Sequence, residues 1–378
     1  MVTVAEKGFK RTEVGMIPDD WDSTKSLNNL LSEMTDFVAA GSFESLRENV
    51  SVYDFDNYAF YIRLVDIRAG IGHINQKYVD KKSYDFLKRS NLFGGEILIA
   101  NIGANVGEVF LMPKVKKPST IAPNMILMRT NESIINSSFC YYFINSKTGQ
   151  KLLSELISGS GHPKLNKTDL KKLLIPLPPT LEEQNSIATA LTDVDELISG
   201  LEKLISKKKD IKQGAMQQLL TPPHKGGKRL LGFSGEWVEK RLEDLTSMSS
   251  GGTPSSKNSK YYDGQIIWVS ITDISNSGKY ISDSSKKITN IGLQNSSARM
   301  FTKNTLLLAM YASIGKCCIT TKEVSTSQAI LGINTAKELS TEFLYYFFLF
   351  KQKELASQGQ QGTQSNLNKG MVQDLLIS

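Results

Sequence analysis

The stretch Leu173-Leu-Ile-Pro-Leu-Pro-Pro-Thr-Leu-Glu-Glu-Gln184 divides the chain and begins a long helix. Its three prolines prevent a continuous helical hydrogen-bond pattern, because proline lacks a backbone N–H and restricts the residue before it. Thr180 and Glu183 then have the spacing of a capping box, a signal for the start of a helix. The sequence therefore predicts an extended segment up to Pro179 and a helix directly after it.

This helix is predicted to run over about 180–220, where Thr221-Pro-Pro223 stops it. Large apolar residues recur along it at alternating steps of four and three, the repeat of a coiled coil. At about 1.5 Å per residue the helix forms a rod of roughly 60 Å. An apolar stripe on such a rod packs against a second helix or a partner subunit. We call these residues the spacer stripe: Ile187, Leu191, Val194, Ile198, Leu201 and Ile205.

The sequences on the two sides of this helix repeat one another, which indicates a duplicated fold. Tyr61-Ile-Arg-Leu-Val-Asp-Ile67 matches Trp268-Val-Ser-Ile-Thr-Asp-Ile274, and Phe139-Cys-Tyr-Tyr-Phe143 matches Phe343-Leu-Tyr-Tyr-Phe347. Further pairs in the same order are Trp21 with Trp237, Leu98–Ala100 with Leu307–Ala309, and Leu165–Lys167 with Leu367–Lys369. The chain is therefore predicted to be a tandem duplication of a unit of about 200 residues, a domain plus a connector.

Each copy has the pattern of a mixed α/β (α+β) domain. Apolar runs predict strands, two of them central and buried, and apolar residues at helical spacing predict a helix in each copy. The predicted strands are Tyr58–Val65, Glu96–Ala100, Gln265–Ile271 and Thr305–Met310, and the predicted helices are Ser138–Ile157 and Thr341–Ala356. We expect a first domain over 1–165, a central spacer region over 166–224 and a second domain over 225–378.

Composition fits a globular protein of two domains, with 378 residues, 40% hydrophobic and 22% charged. No apolar run approaches the roughly 18 residues of a membrane span, and the N-terminus is too polar for a signal peptide. Cys140, Cys317 and Cys318 do not suggest a disulfide framework. These features predict a cytoplasmic protein that does not contact membranes. The net charge of +7 lies mostly between Glu202 and Arg229, which fits nucleic-acid binding or a solvated helix end with a basic linker.

The sequence predicts no enzyme. Pro178-Pro179 is preceded by Leu and followed by Thr, unlike the Asn/Asp-Pro-Pro-aromatic motif of an adenine methyltransferase. The glycine-rich stretch 101–107 lacks the Gly-Lys-Ser/Thr of a phosphate loop and reads as a tight turn after a strand. The histidines do not have the spacing of metal ligands, so no metal site is predicted. They are His73, His162 and His224.

Two related units joined by a helix that begins Ile175-Pro-Leu-Pro-Pro179 and Leu181-Glu-Glu-Gln184 resemble the DNA-specificity subunit of type I restriction–modification systems. Other matching stretches are Ile17–Trp21, Gly251–Ser255, Ser313–Gly315 and Leu165–Lys167. The resemblance covers essentially the whole chain. It implies two target-recognition domains that each read half of a split double-stranded DNA sequence, and helical spacers that dock two methyltransferase (modification) subunits, with restriction/translocase subunits outside them.

The resemblance also assigns the chemistry to other chains. The assembled complex would be an adenine DNA methyltransferase and an ATP-dependent endonuclease, and S-adenosylmethionine, ATP and Mg would belong to the partner subunits. In the family a second spacer helix pairs antiparallel with the first, but this sequence stops at Leu376-Ile377-Ser378, before such a helix. A truncated sequence is one explanation. Another is a homodimer in which the spacer stripe pairs with the same helix of a second copy, and we expect that pairing.

Side chains that pair with base edges or phosphates occur in loops of both copies. For each of them the alternative is an ordinary solvated loop residue. The candidates are Asn101, Asn105, Lys114, Lys116, Lys117 and Asn124 in the first copy, and Ser255, Lys257, Asn258, Lys260, Ser313, Lys316 and Gln328 in the second. A further loop pair is Ser158–Lys164 and Gln358–Gln364. Trp21 and Trp237 are expected to be core anchors, and Asp66 and Asp273 to cap turns.

Two other classes of protein remain open from the sequence. One is a stand-alone methyltransferase–nuclease fusion, against which the missing cofactor motifs argue. The other is a transcriptional regulator of two domains, which binding to a methyltransferase subunit would exclude.

Overall fold

The computed structural model describes residues 8–159, 161–358 and 366–378. Two compact units make up the chain, Met1–Leu201 and Glu202–Ser378, and the boundary between them lies within one long helix. Residues 1–7 and most of the predicted loop Gln358–Gln364 lie outside the described residues.

The strands of the first unit form two main sheets and a separate hairpin. They are β1 (Phe9–Thr12), β2 (Gly15–Pro18), β3 (Leu31–Asp36), β4 (Val52–Tyr53), β5 (Ala59–Ile62), β6 (Lys77–Val79), β7 (Asn91–Leu92), β8 (Ile97–Ala100), β9 (Val109–Leu111), β10 (Ser119–Ile121) and β11 (Met125–Thr130). One sheet has the order β4-β6-β5-β10-β7, and the other has the order β3-β11-β8-β9.

The helices of the first unit are mostly short and connect these strands. They are α1 (Phe43–Asn49), α2 (Leu64–Ala69), α3 (Lys81–Phe86), α4 (Ser137–Asn145), α5 (Lys147–Glu155) and α6 (Lys167–Leu170). Short 3-10 helices lie at Leu27–Asn29, Phe37–Ala40 and Lys88–Ser90. Helix α7 (Leu181–Leu219) begins in the first unit and ends in the second, close to the predicted range of 180–220.

The second unit has the same kinds of element. Its strands are β12 (Lys240–Arg241), β13 (Thr246–Ser250), β14 (Tyr262–Val269), β15 (Tyr280–Ile281), β16 (Lys286–Ile288), β17 (Met300–Phe301), β18 (Leu306–Ala309), β19 (Cys317–Thr320), β20 (Val324–Thr326), β21 (Ile330–Thr335) and β22 (Leu376–Ile377). Its helices are α8 (Leu242–Leu245), α9 (Ile271–Asn276), α10 (Asn290–Gln294), α11 (Thr341–Gln358) and α12 (Lys369–Gln373), with 3-10 helices at Pro223–Lys225 and Ser259–Tyr261.

The two units share one strand plan. The order β6-β5-β10-β7 in the first unit recurs as β16-β14-β20-β17 in the second, each with a parallel pair at its centre. The order β3-β11-β8-β9 recurs as β13-β21-β18-β19, and all of these pairs are antiparallel. The duplication predicted from the sequence is therefore confirmed at the level of topology.

The hydrophobic cores lie where the apolar runs predicted them. All four residues of β8 and all four of β18 are buried, and each of these strands has a neighbour on both sides. Phe139 and Cys140 of α4 pack into the core of the first unit, and Leu344 and Phe348 of α11 pack into that of the second. The aromatic repeat is thus a helix face buried against a sheet.

One predicted helix differs between the units. The segment Ser138–Ile157 forms two helices instead of one, because Ser146 ends α4 and its Oγ accepts a hydrogen bond from Gly149 N of α5 at 3.0 Å. A Cβ atom on Gly149 would lie 2.1 Å from the carbonyl oxygen of Phe143, so only glycine permits this close approach. In the second unit α11 continues without a break through the corresponding Lys353.

Candidate nucleic-acid interface and spacer surface

Three predicted loops of the first unit meet at the end of β8. Asn101 N donates to the carbonyl of Asn124 at 3.1 Å, and the carbonyl of Asn101 accepts from Leu165 N at 2.9 Å. Gly103 N donates to the carbonyl of Pro163 at 3.0 Å, so the turn after β8 also contacts the loop Ser158–Lys164. Backbone hydrogen bonds therefore join these loops, and Asn101 Oδ1 is buried without a hydrogen-bond partner among the described residues. The joined loops carry the three amide candidates of this unit. They are Asn101, Asn105 and Asn124.

The lysine candidates of the first unit lie at the opposite end of the β8–β9 hairpin. Lys114 follows Met112, whose N–H donates to the carbonyl of Glu96 just before β8. The four residues of β8 separate the two ends by about 13 Å. Lys117 forms an ion pair with Asp56 and lies 5.1 Å from the ring centroid of Tyr78. Thus the structure divides the six candidates into an amide group and a lysine group: Lys114, Lys116 and Lys117.

In the second unit the turn after β18 corresponds to the turn after β8. Ser275 Oγ of α9 donates to Ser313 Oγ at 3.0 Å, and Met310 N donates to the carbonyl of Ala329 at 3.0 Å. Gln328 Oε1 accepts a hydrogen bond from the hydroxyl of Thr253. These contacts bring the turns of Ser313 and Gln328 together, with the half-buried Lys316 nearby in sequence.

The loop Ser255–Lys260 leaves the same end of the sheet through two closely packed glycines. A Cβ atom on Gly251 would lie 2.0 Å from Thr326 Oγ1, and one on Gly252 would lie 2.3 Å from the carbonyl carbon of Ser297. Trp268 Nε1 donates to the carbonyl of Gly252 at 3.0 Å. Beyond the glycines, the loop runs toward the start of β14 and exposes three candidates. They are Ser255, Lys257 and Lys260.

Asn258, the remaining candidate of this loop, has a structural role. Its Oδ1 accepts a hydrogen bond from Lys260 N at 3.2 Å and caps the 3-10 helix Ser259–Tyr261. The sequence did not indicate this cap.

Asp66 and Asp273 cap α2 and α9, as predicted, but with different partners. Asp66 is fully buried and binds the Arg63 backbone N–H at 2.8 Å, the Arg63 guanidinium at 2.6 Å and His73 Nε2 at 2.9 Å. Asp273 instead binds Ser270 and the N–H of Ser285. Burial alone would raise the pKa of Asp66, but the hydrogen bonds from Arg63 and His73 lower it below its ordinary value.

The cap on α2 also corrects a strand boundary. The predicted strand Tyr58–Val65 ends at Ile62, because the carboxylate of Asp66 accepts from Arg63 N and turns the chain into α2.

The start of α7 is anchored on the first unit. Thr180 Oγ1 accepts from Glu183 N at 3.2 Å, as the capping pattern predicts, while the Glu183 carboxylate accepts from Trp21 Nε1 at 3.1 Å. Trp21 contacts Phe139 edge to face, with 6.0 Å between ring centroids, which confirms it as a core anchor. Ile187, the first residue of the spacer stripe, packs against this same core.

Trp237 lines an apolar groove within the second unit. The groove has a volume of about 590 Å³, and its walls come from the end of α7, the segment 228–237 and α11. Trp237, Phe343 and Tyr346 form part of it, and they are the repeat counterparts of Trp21, Phe139 and Tyr142. Trp237 is half-buried, so it serves as a wall of this groove.

The remaining spacer stripe is open to solvent. Its exposure ranges from 41% at Leu191 to 54% at Ile205, and the basic stretch Lys207–Lys209 is also exposed. An apolar stripe of this size on a helix is typical of an interaction surface.

The described residues contain neither a helix long and apolar enough to cross a membrane nor a cluster of three or more metal-ligand side chains. The three cysteines are free and buried, and burial raises the pKa of the Cys140 thiol to about 12.

Comparisons with a family model and with known proteins point to the same family. A family model for the type I restriction modification DNA specificity domain matches residues 42–213 and 234–378. The chain is 24% identical over 357 residues to a putative type I restriction enzyme MjaX specificity subunit of Methanocaldococcus jannaschii, covering 91% of this chain and 79% of that one. It is 26% identical over 252 residues to the MjaVIII specificity subunit of the same organism, covering 65% and 54%.

Solved structures agree on the fold. A type I restriction–modification S subunit from M. genitalium matches with a TM-score of 0.61 at 16% identity, covering 96% of this chain and 85% of that one. A chain from a study of complex assembly and conformational transition of the type I R-M system matches with a TM-score of 0.53, also at 16% identity, covering 96% and 86%. With both repeated units matched by the family model, the chain belongs to the DNA-specificity subunits of type I restriction–modification systems.

Proposed function

We propose that this chain, acting in the cytoplasm, reads a bipartite double-stranded DNA target, with one half assigned to each unit. The observation that carries the proposal is the shared strand plan of the two units combined with different loops at the sheet ends. The target-recognition domains are residues 1–165 and 225–378, and residues 166–224 form the spacer region. The chain performs no chemistry, and S-adenosylmethionine, ATP and Mg²⁺ bind to the methyltransferase and restriction/translocase subunits.

The loop side chains fit this role by their chemistry. Asn and Gln amides can pair with the N6 and N7 edge of adenine, and Ser hydroxyls can pair with several base edges. We therefore assign base reading to the amide group of the first unit and to Ser313 and Gln328 of the second. The exposed Lys257 and Lys260 fit phosphate contacts, which hold the protein in register but carry no sequence information.

The spacer stripe fits a docking surface for partner subunits. Burying one exposed Leu or Ile is worth about 1.5–3 kcal/mol, so covering several of them would stabilise an assembly strongly. We propose that α7 docks the methyltransferase subunits and pairs antiparallel with α7 of a second copy when those are absent. In that pairing the basic Lys207–Lys212 lies beside the acidic Glu182 and Glu183 of the other copy.

Sequencing of methylated adenines tests the reading of DNA. The chain would be expressed with its methyltransferase subunits in cells that lack other methyltransferases. We expect methylation at two short sequence blocks separated by a gap of fixed length. A single continuous block, or an assembled complex that methylates without sequence preference, would contradict the proposal.

Sedimentation of the purified chain tests the spacer pairing. We expect a dimer at micromolar concentration for the wild type and a monomer for Leu191→Glu/Ile198→Glu, because two carboxylates would be buried in the helix pair. Thr189→Glu, an exposed change on another face of α7, is the matched control and should leave the dimer intact. A wild-type chain that stays monomeric would contradict the homodimer. It would not test whether α7 docks the methyltransferase subunits.

A further inference from the structure

The loop 70–76, which joins α2 to β6 in the first unit, presents an isoleucine to water. Ile74 is 96% exposed, whereas large apolar residues are usually buried at least in part. We call this segment the Ile74 loop. Solvent around such a side chain is displaced favourably when an apolar surface covers it.

The Ile74 loop is fixed on both sides of its tip by the buried Asp66. His73 Nε2 lies 2.9 Å from Asp66 Oδ1, and Arg63 Nη2, which binds the same carboxylate, donates to the carbonyl of Asn75 at 2.9 Å. Both neighbours of Ile74 are therefore tied to one buried carboxylate. These hydrogen bonds restrain the backbone on both sides of the tip.

A second set of hydrogen bonds holds the base of the loop. Gln76 is buried, its Nε2 donates to the carbonyl of Tyr61 at 3.1 Å, and its Oε1 accepts from Gly72 N at 3.1 Å. Asn75 N donates to His73 Nδ1 at 3.2 Å. These bonds restrict the loop without burying Ile74, so the rigidity preorganises the apolar tip for contact with another molecule.

The Ile74 loop emerges at the same end of the sheets as the amide group. Strand β5 ends at Ile62, whose carbonyl accepts from Ala122 N at 2.8 Å, two residues before Asn124. On the other side, Arg68 of α2 forms an ion pair with Glu108 at the end of the turn that holds Asn101 and Asn105. Ile74 and the candidate base-reading amides thus belong to one end of the unit.

We propose that Ile74 contacts the 5-methyl group of a thymine in the major groove and so specifies a T·A pair in the first half of the target. The thymine methyl is the apolar feature that distinguishes this base on the major-groove edge. The imidazole of His73 and the backbone N–H and carbonyl of Asn75 brace the loop, and the isoleucine lies between them at the exposed tip. The inference rests on the proposed function and adds a specificity-determining residue to it.

The second unit has a different structure at the position that corresponds to the Ile74 loop. There the segment between α9 and β16 includes β15, which pairs with β19 through Tyr280 and Ile281. The segment that corresponds to the Ile74 loop therefore forms a strand of the sheet. We therefore expect a thymine-methyl contact of this kind in the first half-target.

Replacement of thymine by deoxyuridine, which lacks the 5-methyl group, tests the contact. The assembled complex with its methyltransferase subunits would be titrated with duplexes in which each T of the first block is replaced in turn. We expect one position at which affinity falls about fourfold, the equivalent of one buried methyl group. Ile74→Ala should remove this sensitivity and leave the wild-type and substituted duplexes equally bound.

Val52→Ala is the matched control, because Val52 is an exposed β-branched residue whose strand pairing places it level with Ala59, at the far end of the sheet. It should retain the full deoxyuridine effect. Since Ile74 is exposed, its replacement should leave the melting temperature of the chain unchanged.

Three results would overturn the inference: a first block without a T·A pair, insensitivity to deoxyuridine at every position, or sensitivity that survives in Ile74→Ala. A rise in the fluorescence of 2-aminopurine that requires Ile74, with no deoxyuridine effect, would indicate a wedge between bases instead. Each leaves the bipartite target itself intact, whereas loss of the two-block methylation pattern would overturn the proposed function.

Discussion

In the first unit the segment after α2 forms the braced Ile74 loop, whereas in the second the segment after α9 contributes β15 to a sheet. An aspartate caps the helix before each segment, the fully buried Asp66 in the first unit and the half-buried Asp273 in the second, but their partners differ. Arg63 and His73 surround the first, and Ser270 and Ser285 surround the second. The difference shows that one strand plan supports unlike loops, which is what two readers of different DNA sequences require.

The aromatic platforms of the two units also differ in what they contact. Trp21 donates to Glu183 at the start of α7, and Tyr142 Oη lies 2.8 Å from Asp195 of the same helix. Their counterparts Trp237 and Tyr346 line the open groove of the second unit. Similar aromatic side chains therefore hold a helix start in one unit and border a cavity in the other.

The largest expected effect distinguishes the buried carboxylate of Asp66 from the half-buried carboxylate of Asp273. Asp66→Ala should lower the free energy of unfolding by about 2–4 kcal/mol, because it removes the hydrogen bonds that a buried carboxylate accepts from Arg63 and His73, each worth about 1.5–3 kcal/mol. Asp273→Ala loses a cap held by hydroxyl and backbone groups and should cost about 0.5–2 kcal/mol. Hydrogen exchange read by mass spectrometry would assign each loss of stability to its unit. Equal losses would contradict a larger stabilising role for Asp66 than for Asp273.

At acidic pH, Asp66→Ala should cost less stability than it does at neutral pH. The pKa of Asp66 is lowered in the folded chain from an ordinary value of 3.8. Its stabilisation is therefore present above that value and is lost as the pH falls through the lower, folded pKa. Wild type and Asp66→Ala should converge in stability at strongly acidic pH, and a difference that stays constant there would contradict the ion pair.

A smaller change in stability is expected when alanine replaces glycine at two positions with different surroundings. Gly252→Ala should destabilise the second unit by about 1–3 kcal/mol, because its Cβ would overlap the backbone at Ser297. Gly200→Ala in α7, where a Cβ would meet open space among the described residues, should stabilise the helix by about 0.5–1 kcal/mol. Thermal unfolding of both variants would check this, and a loss of stability in Gly200→Ala would show that α7 is packed at that point.

The smallest expected effect is on the salt dependence of DNA affinity, and it compares exposed lysines with a lysine that forms an ion pair. Replacing Lys257 and Lys260 by Ala should reduce the dependence of log affinity on log salt by about 1.8, since each phosphate contact contributes about 0.9. Lys117→Ala is the control, because this ammonium already pairs with Asp56 and should leave the slope unchanged. An unchanged slope in the double variant would remove Lys257 and Lys260 from the phosphate contacts.

The sequence predicted the features that depend on local pattern and on the repeat. Strands β8 and β18, the start of α7 at Leu181 and the caps at Asp66 and Asp273 follow from apolar runs, prolines and capping residues. Asp66 could be predicted as a cap, but the contact with His73 depends on how the irregular loop after α2 folds back over the helix start. Periodicity in the sequence carries no information about such tertiary contacts.

Strand register explains why the candidate site was only partly predictable. Asn101 and Lys114 lie close in sequence, yet the β8–β9 pairing places them at opposite ends of one hairpin. Conversely, Thr253 and Gln328 are far apart in sequence and hydrogen-bonded in the structure. Composition identified side chains that can bind DNA, and the sheet determined which of them share a surface.

The central claim is that each unit reads its own half of the target. Its most direct test is the methylated sequence obtained with Asn101→Ala/Asn105→Ala in one complex and Ser313→Ala/Gln328→Ala in another. We expect the first pair of substitutions to relax the sequence of one block and the second pair to relax the other, while the gap between the blocks stays fixed. Relaxation of both blocks by either pair, or unchanged blocks in both complexes, would contradict it.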